Sequence, residues 1–522
     1  MNPGFHPTRR DFLRTVTAAG IGVATVGYTG PTWAADGDIL HIRNYNSVAT
    51  LDPARMISGA EGLIGNALYM SLVRFPSDGG WGWQPDAAEH FEQLDGTHYA
   101  FRLRKGQQFN NDLGEMTAED VKYSLERVIR SDKNFPNSGD LGTLSHVEVE
   151  DRYSGVIVLK SPYAALITVG LCQSTGSIHS KTAMEAVDDE FGIHPPSCSG
   201  PYQLKSWQSK RLTVLERNPA WTGDPQGFRE IHIYPINDPK PAELAYEAGE
   251  LDCTQIAVES VEVFEKRPTP NSTLDVRKAL RYYWIGMNME HPKLADIRVR
   301  QAIQWGIDVE SVLKAAWFGL AEPATGIIAP GLIGHREKAN IPPKGNPDRA
   351  RRLLAEAGVK TPFRLRLDCP TDTLEQTVAL VAQWCLRDIG FEIDVRPQDS
   401  ATFLTMGMES GDRWQDVQLF VQSFFMLGDP YYATQWFIEE QVGLWNWERW
   451  RSKEFDRRHH VALGLTDESE RDRHYQRMQQ IMEDTGCYRF LTHGLEPTLY
   501  RDNLIPSFRG DGYPIFRDFK RV

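Results

Sequence analysis

The stretch from residue 285 to residue 319 constrains the fold of this chain more than any other. Aromatic and apolar residues before and at its start favour a β-strand, and a polar break follows at residues 290–292. Apolar residues then return at helical spacing, at Val299, Ala302, Ile303 and Ile307. A strand that leads through a short loop into an amphipathic helix is typical of an α/β domain.

A second pattern of the same kind follows. A strand-like run ends at Cys369, residues 373–389 predict a helix that Gly390 ends, and residues 391–395 alternate as a strand. Because a strand, a helix and a strand in this order imply a parallel crossover, we expect a second α/β lobe. The length of 522 residues is too great for one hydrophobic core and suits two lobes.

Local signals mark further elements. Residues 99–103 alternate apolar and polar side chains, as a half-buried strand does. Thr117 and Asp120 form a capping box in front of a helix. Asn346 can cap another helix, and Gly358 can end it in the left-handed region.

The first 34 residues resemble an export signal. Residues 8–14, with Arg9 and Arg10, fit the twin-arginine pattern, and a Gly- and Ala-rich apolar run over residues 16–30 leads to a cleavage site at residues 32–34. The alternative is an amphipathic N-terminal helix, but its glycines make a poor helix interior. The run is too short for a transmembrane helix.

We therefore expect the twin-arginine translocase as a partner during export and the periplasm as the destination. No cysteine precedes Cys172, which argues against a lipid-anchored form. The net charge of −13 argues against nucleic acid and against an anionic membrane as partners.

The motifs of common enzymes are missing from the sequence. It contains no G-x-S-x-G, H-E-x-x-H, G-x-G-x-x-G or Walker motif. His459 and His460 are adjacent, so one helix face cannot present both to a metal ion. We therefore predict no catalytic residue, no metal and no cofactor.

The six cysteines include no C-x-x-C pair, which argues against zinc-ribbon and thioredoxin-like sites. Cys172 and Cys198 flank a loop rich in glycine, serine and proline. In an oxidising compartment they could form a disulfide, and buried free thiols are the alternative.

Several segments together resemble one family, the family 5 extracellular solute-binding proteins. These proteins supply dipeptides, oligopeptides, nickel, opines or oligosaccharides to ABC importers. The central segment matches the family wording at Asn288, Pro292, Asp296, Arg298, Val299, Arg300, Ala302, Ile303, Ile307 and Asp308. Leu51-Asp52-Pro53-Ala54, the run from Arg102 to Val128 and Ser199-Gly200-Pro201-Tyr202 resemble other family segments.

The resemblance implies an α/β, two-lobe periplasmic-binding-protein fold of type II, in the large cluster with an extra subdomain in the first lobe. Lobe I would comprise residues 35–284 and 490–522, with an inserted subdomain at about 76–195, and lobe II residues 285–489. Two crossings near residues 282–288 and 484–494 would form the hinge of the cleft. We expect a monomer that captures a small solute and delivers it to the permease subunits of an ABC importer.

Two other functions stay open at this point. One is an exported hydrolase with an unrecognised active site, and the other is a sensor or chaperone subunit on the same fold. Turnover of peptides or glycosides would identify the hydrolase, and a stable protein partner would identify the sensor or chaperone.

The resemblance also implies where a ligand would bind. The loop at Ile57, Ser58 and Gly59 would line the cleft from the first lobe, and Ser423, Phe424, Phe425 and Met426 from the second. The aromatic rings of Trp436, Trp445 and Trp447 could stack on a solute or could instead pack the core of their own lobe.

Met426 is a departure from the family. Peptide-binding members hold a carboxylate three residues before an acidic-Pro pair, where it meets the α-ammonium of the peptide. This chain has Met426 three residues before Asp429-Pro430. Because a buried ammonium without a counter-charge is costly, we expect an opine-like or sugar-like solute and weak binding of plain dipeptides. A gap in the alignment would instead let Asp429 take the amine of a peptide.

Overall fold

The computed structural model describes residues 38–133, 135–225 and 227–522. The export segment predicted at residues 1–34 lies outside the described residues. None of the described helices is long and apolar enough to cross a membrane.

Strands and helices alternate along the chain. The strands are β1 (Ile39–Asn44), β2 (Val73–Arg74), β3 (Gln84–Pro85), β4 (Ala88–Gln93), β5 (His98–Leu103), β6 (Leu144–Val149), β7 (Ser154–Leu159), β8 (Tyr202–Gln208), β9 (Leu212–Arg217), β10 (Glu230–Pro235), β11 (Cys253–Gln255), β12 (Ser272–Met287), β13 (Phe363–Pro370), β14 (Phe391–Gln398), β15 (Leu419–Phe425), β16 (Tyr488–Arg501), β17 (Leu504–Ile505) and β18 (Lys520–Arg521). The α-helices are α1 (Gly59–Leu68), α2 (Ala118–Val128), α3 (Lys181–Glu185), α4 (Pro239–Glu247), α5 (Val261–Lys266), α6 (Ile297–Gly306), α7 (Val309–Ala316), α8 (Pro347–Glu356), α9 (Thr373–Arg387), α10 (Ser400–Thr405), α11 (Pro430–Thr434), α12 (Lys453–Gly464) and α13 (Glu468–Asp484).

Ten of these strands form one sheet in the order β14-β13-β15-β12-β16-β11-β1-β10-β9-β8. The two longest strands, β12 and β16, lie side by side in the middle and run antiparallel. On one side of this pair the sheet is built from residues 363–425, and on the other side from residues before 256. The sheet therefore joins an early and a late part of the chain through two adjacent strands.

The parallel crossover predicted around residue 390 is confirmed. β13 and β14 pair in parallel, with Phe363 opposite Phe391, and α9 connects them. Gly390 takes a φ of +104°, a value that only glycine adopts readily, just after the helix ends. The apolar faces of α6, α7 and α9 pack with the buried side chains of β13 and β15 in one core.

A second, smaller sheet has the order β4-β5-β7-β6 and packs against α2. The half-buried strand predicted at 99–103 is β5, in which Tyr99, Phe101 and Leu103 point into this core. Asp120 reaches back to accept a hydrogen bond from the backbone N–H of Thr117 at 2.9 Å, as the capping box predicts. The described residues form one compact unit, and the limits given above for the two lobes stay a prediction.

All six cysteines are buried free thiols. The disulfide considered between Cys172 and Cys198 is therefore not formed in this structure, and the alternative of buried thiols holds for both.

Candidate ligand-binding cavity

A cavity of about 540 Å³ lies at the middle of the large sheet. Ligand sites in proteins typically measure roughly 300–1,000 Å³, so this space suits one small solute. Its walls come from the start of α1, from β12 and β16, from the residues after β15 and from the C-terminal segment. The lining residues are Tyr45, Met56, Ile57, Ser58, Gly59, Gly62, Leu63, Asn66, Asn137, Asp140, Gln173, Ser174, Thr175, Ala279, Leu280, Arg281, Phe425, Met426, Leu427, Tyr432, Glu496, Arg509, Asp511 and Tyr513.

An irregularity in strand pairing brings β12 to the cavity. The register between β12 and β16 shifts between Lys278 and Tyr282, so residues 279–281 bulge out opposite Gly494. β-bulges re-aim side chains and are common next to functional sites. All three bulged residues line the cavity.

The loop before α1 is held by a buried carboxylate. Glu61 is 2 % exposed, and its two oxygens accept four backbone N–H groups, from Ala49, Thr50, Ile57 and Ser58, at 2.9–3.3 Å. Ser58 in turn caps the helix by accepting from the N–H of Glu61. This arrangement fixes Ile57, Ser58 and Gly59 at the rim of the cavity.

Strand β15 pairs with β12. The end of β15 and the residues that follow it supply the opposite wall of the cavity. Phe425 and Met426 line the cavity, whereas Ser423 and Phe424 do not. The Arg281 guanidinium lies 3.8 Å above the centre of the Phe425 ring and donates a 3.3 Å hydrogen bond to Ser423 Oγ. Ser423 therefore contacts the cavity only through Arg281.

Asp429 lies outside the cavity and already has partners. Its carboxylate accepts from Arg471 Nη2 at 2.9 and 2.8 Å and caps α11 by accepting from the Tyr431 N–H at 2.9 Å. Both members of this ion pair are buried. Because the carboxylate is already paired with Arg471 and caps the helix, this geometry does not favour the idea that Asp429 takes the amine of a peptide.

The three tryptophans differ in their surroundings. Trp447 is 2 % exposed and packs against Phe403 and Phe420, so it belongs to a core and is corrected as a stacking residue. Trp436 and Trp445 are half-buried and do not line the cavity. The Trp436 ring lies 5.6 Å from that of Tyr432, which does line it, so these tryptophans support the wall from behind.

The charges of the cavity were missed by the sequence analysis. Its walls carry the carboxylates of Asp140, Glu496 and Asp511 and the guanidinium groups of Arg281 and Arg509. Arg509 pairs with Asp511 through two hydrogen bonds, one of them 3.0 Å long, so these two charges offset each other. Two carboxylates and one guanidinium remain for a ligand.

Burial changes the ionisation of both remaining acids. Loss of hydration raises the pKa of Asp140 to about 7. It also raises the pKa of Glu496 to about 7, where Arg281 acts in the opposite, lowering direction and Asp511 raises the pKa further. A signal for Glu496 and Arg281 was present in the sequence, since each is a charged residue beside a predicted hinge crossing.

A second cavity of about 520 Å³ has a different character. It lies between the smaller sheet and the C-terminal segment, and all its walls come from residues 70–108, 199–225 and 517–520. Its buried charges already pair, Arg517 with Asp86 at 3.0 Å and Arg74 with Asp518 at 2.6 Å. The larger cavity is therefore the candidate ligand site.

Comparison with known proteins identifies the family. Residues 82–441 match the family described as "Bacterial extracellular solute-binding proteins, family 5 Middle". The chain is 25 % identical over 473 residues to the "Probable D,D-dipeptide-binding periplasmic protein DdpA" of Escherichia coli K12, which covers 88 % of this chain and 89 % of that protein. It is also 25 % identical over 482 residues to the glutathione-binding protein GsiB of Salmonella paratyphi A, covering 90 % and 91 % of the two chains.

The fold agrees with a solved structure. The ABC transporter-associated periplasmic binding protein DppA from Helicobacter pylori, in complex with the peptide STSA, aligns with a TM-score of 0.75 at 21 % identity. The alignment covers 92 % of this chain and 98 % of that chain, so the α/β, two-lobe fold of type II is confirmed. The chain belongs to the family 5 bacterial extracellular solute-binding proteins, a family of binding proteins and not of enzymes.

Proposed function

We propose that this chain is the periplasmic ligand-capturing component of an ABC importer. It takes up a small amino-acid-derived solute, peptide-like or opine-like, in the 540 Å³ cavity and delivers it to the permease subunits. The family membership and the printed names of the relatives, which bind D,D-dipeptides and glutathione, support this function. A hydrolase is disfavoured by the same family membership.

Export and oligomeric state complete the proposal. The protein leaves the cytoplasm through the twin-arginine translocase, loses residues 1–34 and acts as a monomer without a lipid anchor. Residues 35–284 and 490–522 form lobe I, and residues 285–489 form lobe II. The two lobes close on the solute, as hinged binding proteins do.

The charged groups that line the cavity determine which class of solute we propose. Asp140 and Glu496 on one hand and Arg281 on the other offer both signs of charge to a ligand. An amino-acid-derived solute carries an amine and a carboxylate and matches this pattern, whereas a neutral sugar would leave buried charges unpaired. The presence of both signs therefore favours a zwitterion over the sugar-like solute that the sequence alone left open.

Calorimetry with two sets of compounds tests the solute class. One set contains dipeptides and the opines octopine and nopaline, and the other contains the neutral disaccharides maltose and cellobiose. We expect members of the first set to bind, to raise the melting temperature by mass action and to make the particle more compact in small-angle scattering. Tight binding confined to the disaccharides, or turnover of a bound compound, would contradict the proposal.

Mass spectrometry of a co-purified solute is a second test, and it requires no prior choice of compounds. Protein purified from its own host, without refolding, should carry a solute that is released on denaturation. A released compound with an amine and a carboxylate agrees with the proposal, and a neutral glycan contradicts it.

A further inference from the structure

Glu496 is one of the carboxylates that line the cavity. It lies on β16 opposite Arg277 of β12, just beyond the bulge of residues 279–281. Among the residues that the structure describes, none donates a hydrogen bond to its carboxylate or forms an ion pair with it. The charge of Glu496 is therefore available to a ligand.

Three buried carboxylates have all their charge satisfied within the protein, in contrast to the half-buried carboxylate of Glu496. Glu61 accepts four backbone N–H groups, Asp511 pairs with Arg509, and Asp429 pairs with Arg471. A desolvated carboxylate without partners is costly, and proteins keep such groups mainly at functional sites. The lack of such partners for the Glu496 carboxylate, at the wall of a cavity, indicates a role in ligand binding.

Two tyrosines stand beside this carboxylate. Tyr45 and Tyr513 both line the cavity, and their rings meet edge to face with centroids 6.4 Å apart and an interplanar angle of 75°. Burial raises the pKa of each phenol, so both rings are neutral at physiological pH. Neutral aromatic rings next to a carboxylate form a favourable environment for a cation.

We infer that Glu496, flanked by Tyr45 and Tyr513, binds an ammonium group of the transported solute. The inference rests on the proposed function and makes it more specific. It also replaces the expectation that the absence of a carboxylate at Met426 excludes an ammonium, because the counter-charge comes from a different strand. Glu496 is thus proposed as a specificity-determining residue.

Glu439 provides a matched control. Its carboxylate is exposed and lies outside the cavity. Glu439→Gln makes the same change as Glu496→Gln, from a carboxylate to an amide of equal size, at a position away from the solute.

The ionisation of Glu496 adds a second readout. The groups that face it are Arg277 and Arg281 on β12, Arg43 on β1, Asp511 in the C-terminal segment, and the phenols of Tyr45, Tyr283 and Tyr513. Because its pKa is about 7 in the free protein, an incoming ammonium must release protons from part of the molecules at pH 7. Affinity for an amine should then rise from pH 6 to pH 7 and fall again above about pH 8, where the amine itself loses its proton.

The test compares three proteins and two ligand mixtures. The proteins are the wild type, Glu496→Gln and Glu439→Gln, and the probe is the mixture of dipeptides and opines, used untreated and after N-acetylation. We expect the untreated mixture to stabilise the wild type and Glu439→Gln, and the acetylated mixture to stabilise neither. For the member that binds most tightly, Glu496→Gln should weaken affinity by about 30-fold or more, as loss of one partner of a buried charge pair does.

Proton release separates binding from a structural effect. Calorimetry of the wild type in two buffers of different ionisation enthalpy should show proton release at pH 7, and the Glu496→Gln variant should show none. Equal affinity of Glu496→Gln and the wild type, or an equal loss of affinity in Glu439→Gln, would overturn the inference and leave the proposed function standing. Failure of both mixtures to stabilise the wild type would overturn both.

Discussion

Asp429 and Arg471 form a buried ion pair in which both carboxylate oxygens lie within 2.9 Å of one guanidinium nitrogen. The two residues are 42 positions apart in sequence and join the start of α11 to α13. Arg471 also donates to the carbonyl of Ala462 at 3.1 Å, at the end of α12. The pair therefore ties three helices together beside the cavity.

Replacement of Asp429 is expected to reduce stability and not solute affinity. Asp429→Asn leaves the buried Arg471 without a counter-charge, and breaking a buried pair in this way costs about 3–5 kcal/mol. Chemical denaturation should show this loss, while calorimetry on the folded protein should give an affinity close to that of the wild type. The matched control is Asp399→Asn at the start of α10, where the amide oxygen can still cap the helix and no ion pair is lost, so stability should change little. A large loss of solute affinity at unchanged stability would contradict this prediction and show that Asp429 contacts the solute.

Two glycines of α1 allow a paired test of the cavity wall. A Cβ at Gly59 would lie 2.6 Å from Tyr45 Oη and 3.3 Å from the Tyr513 ring, whereas a Cβ at Gly62 would meet Ser174 Oγ at an ordinary 3.5 Å. We expect Gly59→Ala to displace the tyrosines, to cost about 1–3 kcal/mol through overpacking and to weaken solute binding. Gly62→Ala should keep affinity and gain helix stability. Similar affinities of the two variants would show that the tyrosines do not contribute to binding.

Alanine substitutions at Trp447 and Trp436 should distinguish a residue that packs the core from one that supports the cavity wall. Trp447→Ala removes a ring that is 2 % exposed and should cost about 3–5 kcal/mol, with affinity retained by the folded protein. Trp436→Ala removes a half-buried ring behind Tyr432 and should cost less stability but weaken binding. The comparison needs unfolding curves and calorimetry for both variants. The reverse pattern would place Trp447 at the ligand.

Glu448 should make stability fall as pH rises. It is fully buried, it accepts a 2.7 Å hydrogen bond from Trp284 Nε1, and loss of hydration raises its pKa to about 8. Between the unfolded pKa of about 4.3 and this value the native state binds more protons than the unfolded state, so this group loses about 1.4 kcal/mol of stability per pH unit. Glu448→Gln should remove that slope, and the exposed control Glu439→Gln should keep it. Parallel curves for the wild type and Glu448→Gln between pH 5 and pH 8 would refute the assignment.

A double substitution of Arg9 and Arg10 tests the proposed export route. Arg9→Lys combined with Arg10→Lys should leave the uncleaved precursor in the cytoplasm, because the twin-arginine route requires the pair. Cell fractionation and the mass of the protein give the answer. Mature protein in the periplasm at normal levels would exclude this route.

Much of the fold could be predicted because its signals are local. The capping box of Thr117 and Asp120 and the glycine stop at Gly390 are each contained in a few residues. They agree with the structure. The large sheet is different, since β12 and β16 pair Arg277 with Glu496 across 219 positions, and no local pattern encodes that contact.

The site was predictable only in part for the same reason. Family wording located Ile57–Gly59, Phe425 and Met426, all of which line the cavity. It could not show that Asp429 is used by Arg471, because that partner lies 42 positions further along the chain. The sequence reveals little about which way an aromatic ring points. Trp447 therefore lies in a core instead of stacking on a solute, and Tyr432, which lines the cavity, was not singled out.

The bulge at residues 279–281 has a consequence for how such a protein could be blocked. These residues line the cavity, and they also belong to one of the two strands that connect its opposite walls. Under the proposed closing of the two lobes, a compound could therefore occupy the cavity without bringing about closure. A solute that contacts the bulge acts on the connecting backbone directly, whereas a molecule that fills the remaining space without reaching it would hold the protein open. Such a molecule would compete with the natural solute and still not be passed to the importer.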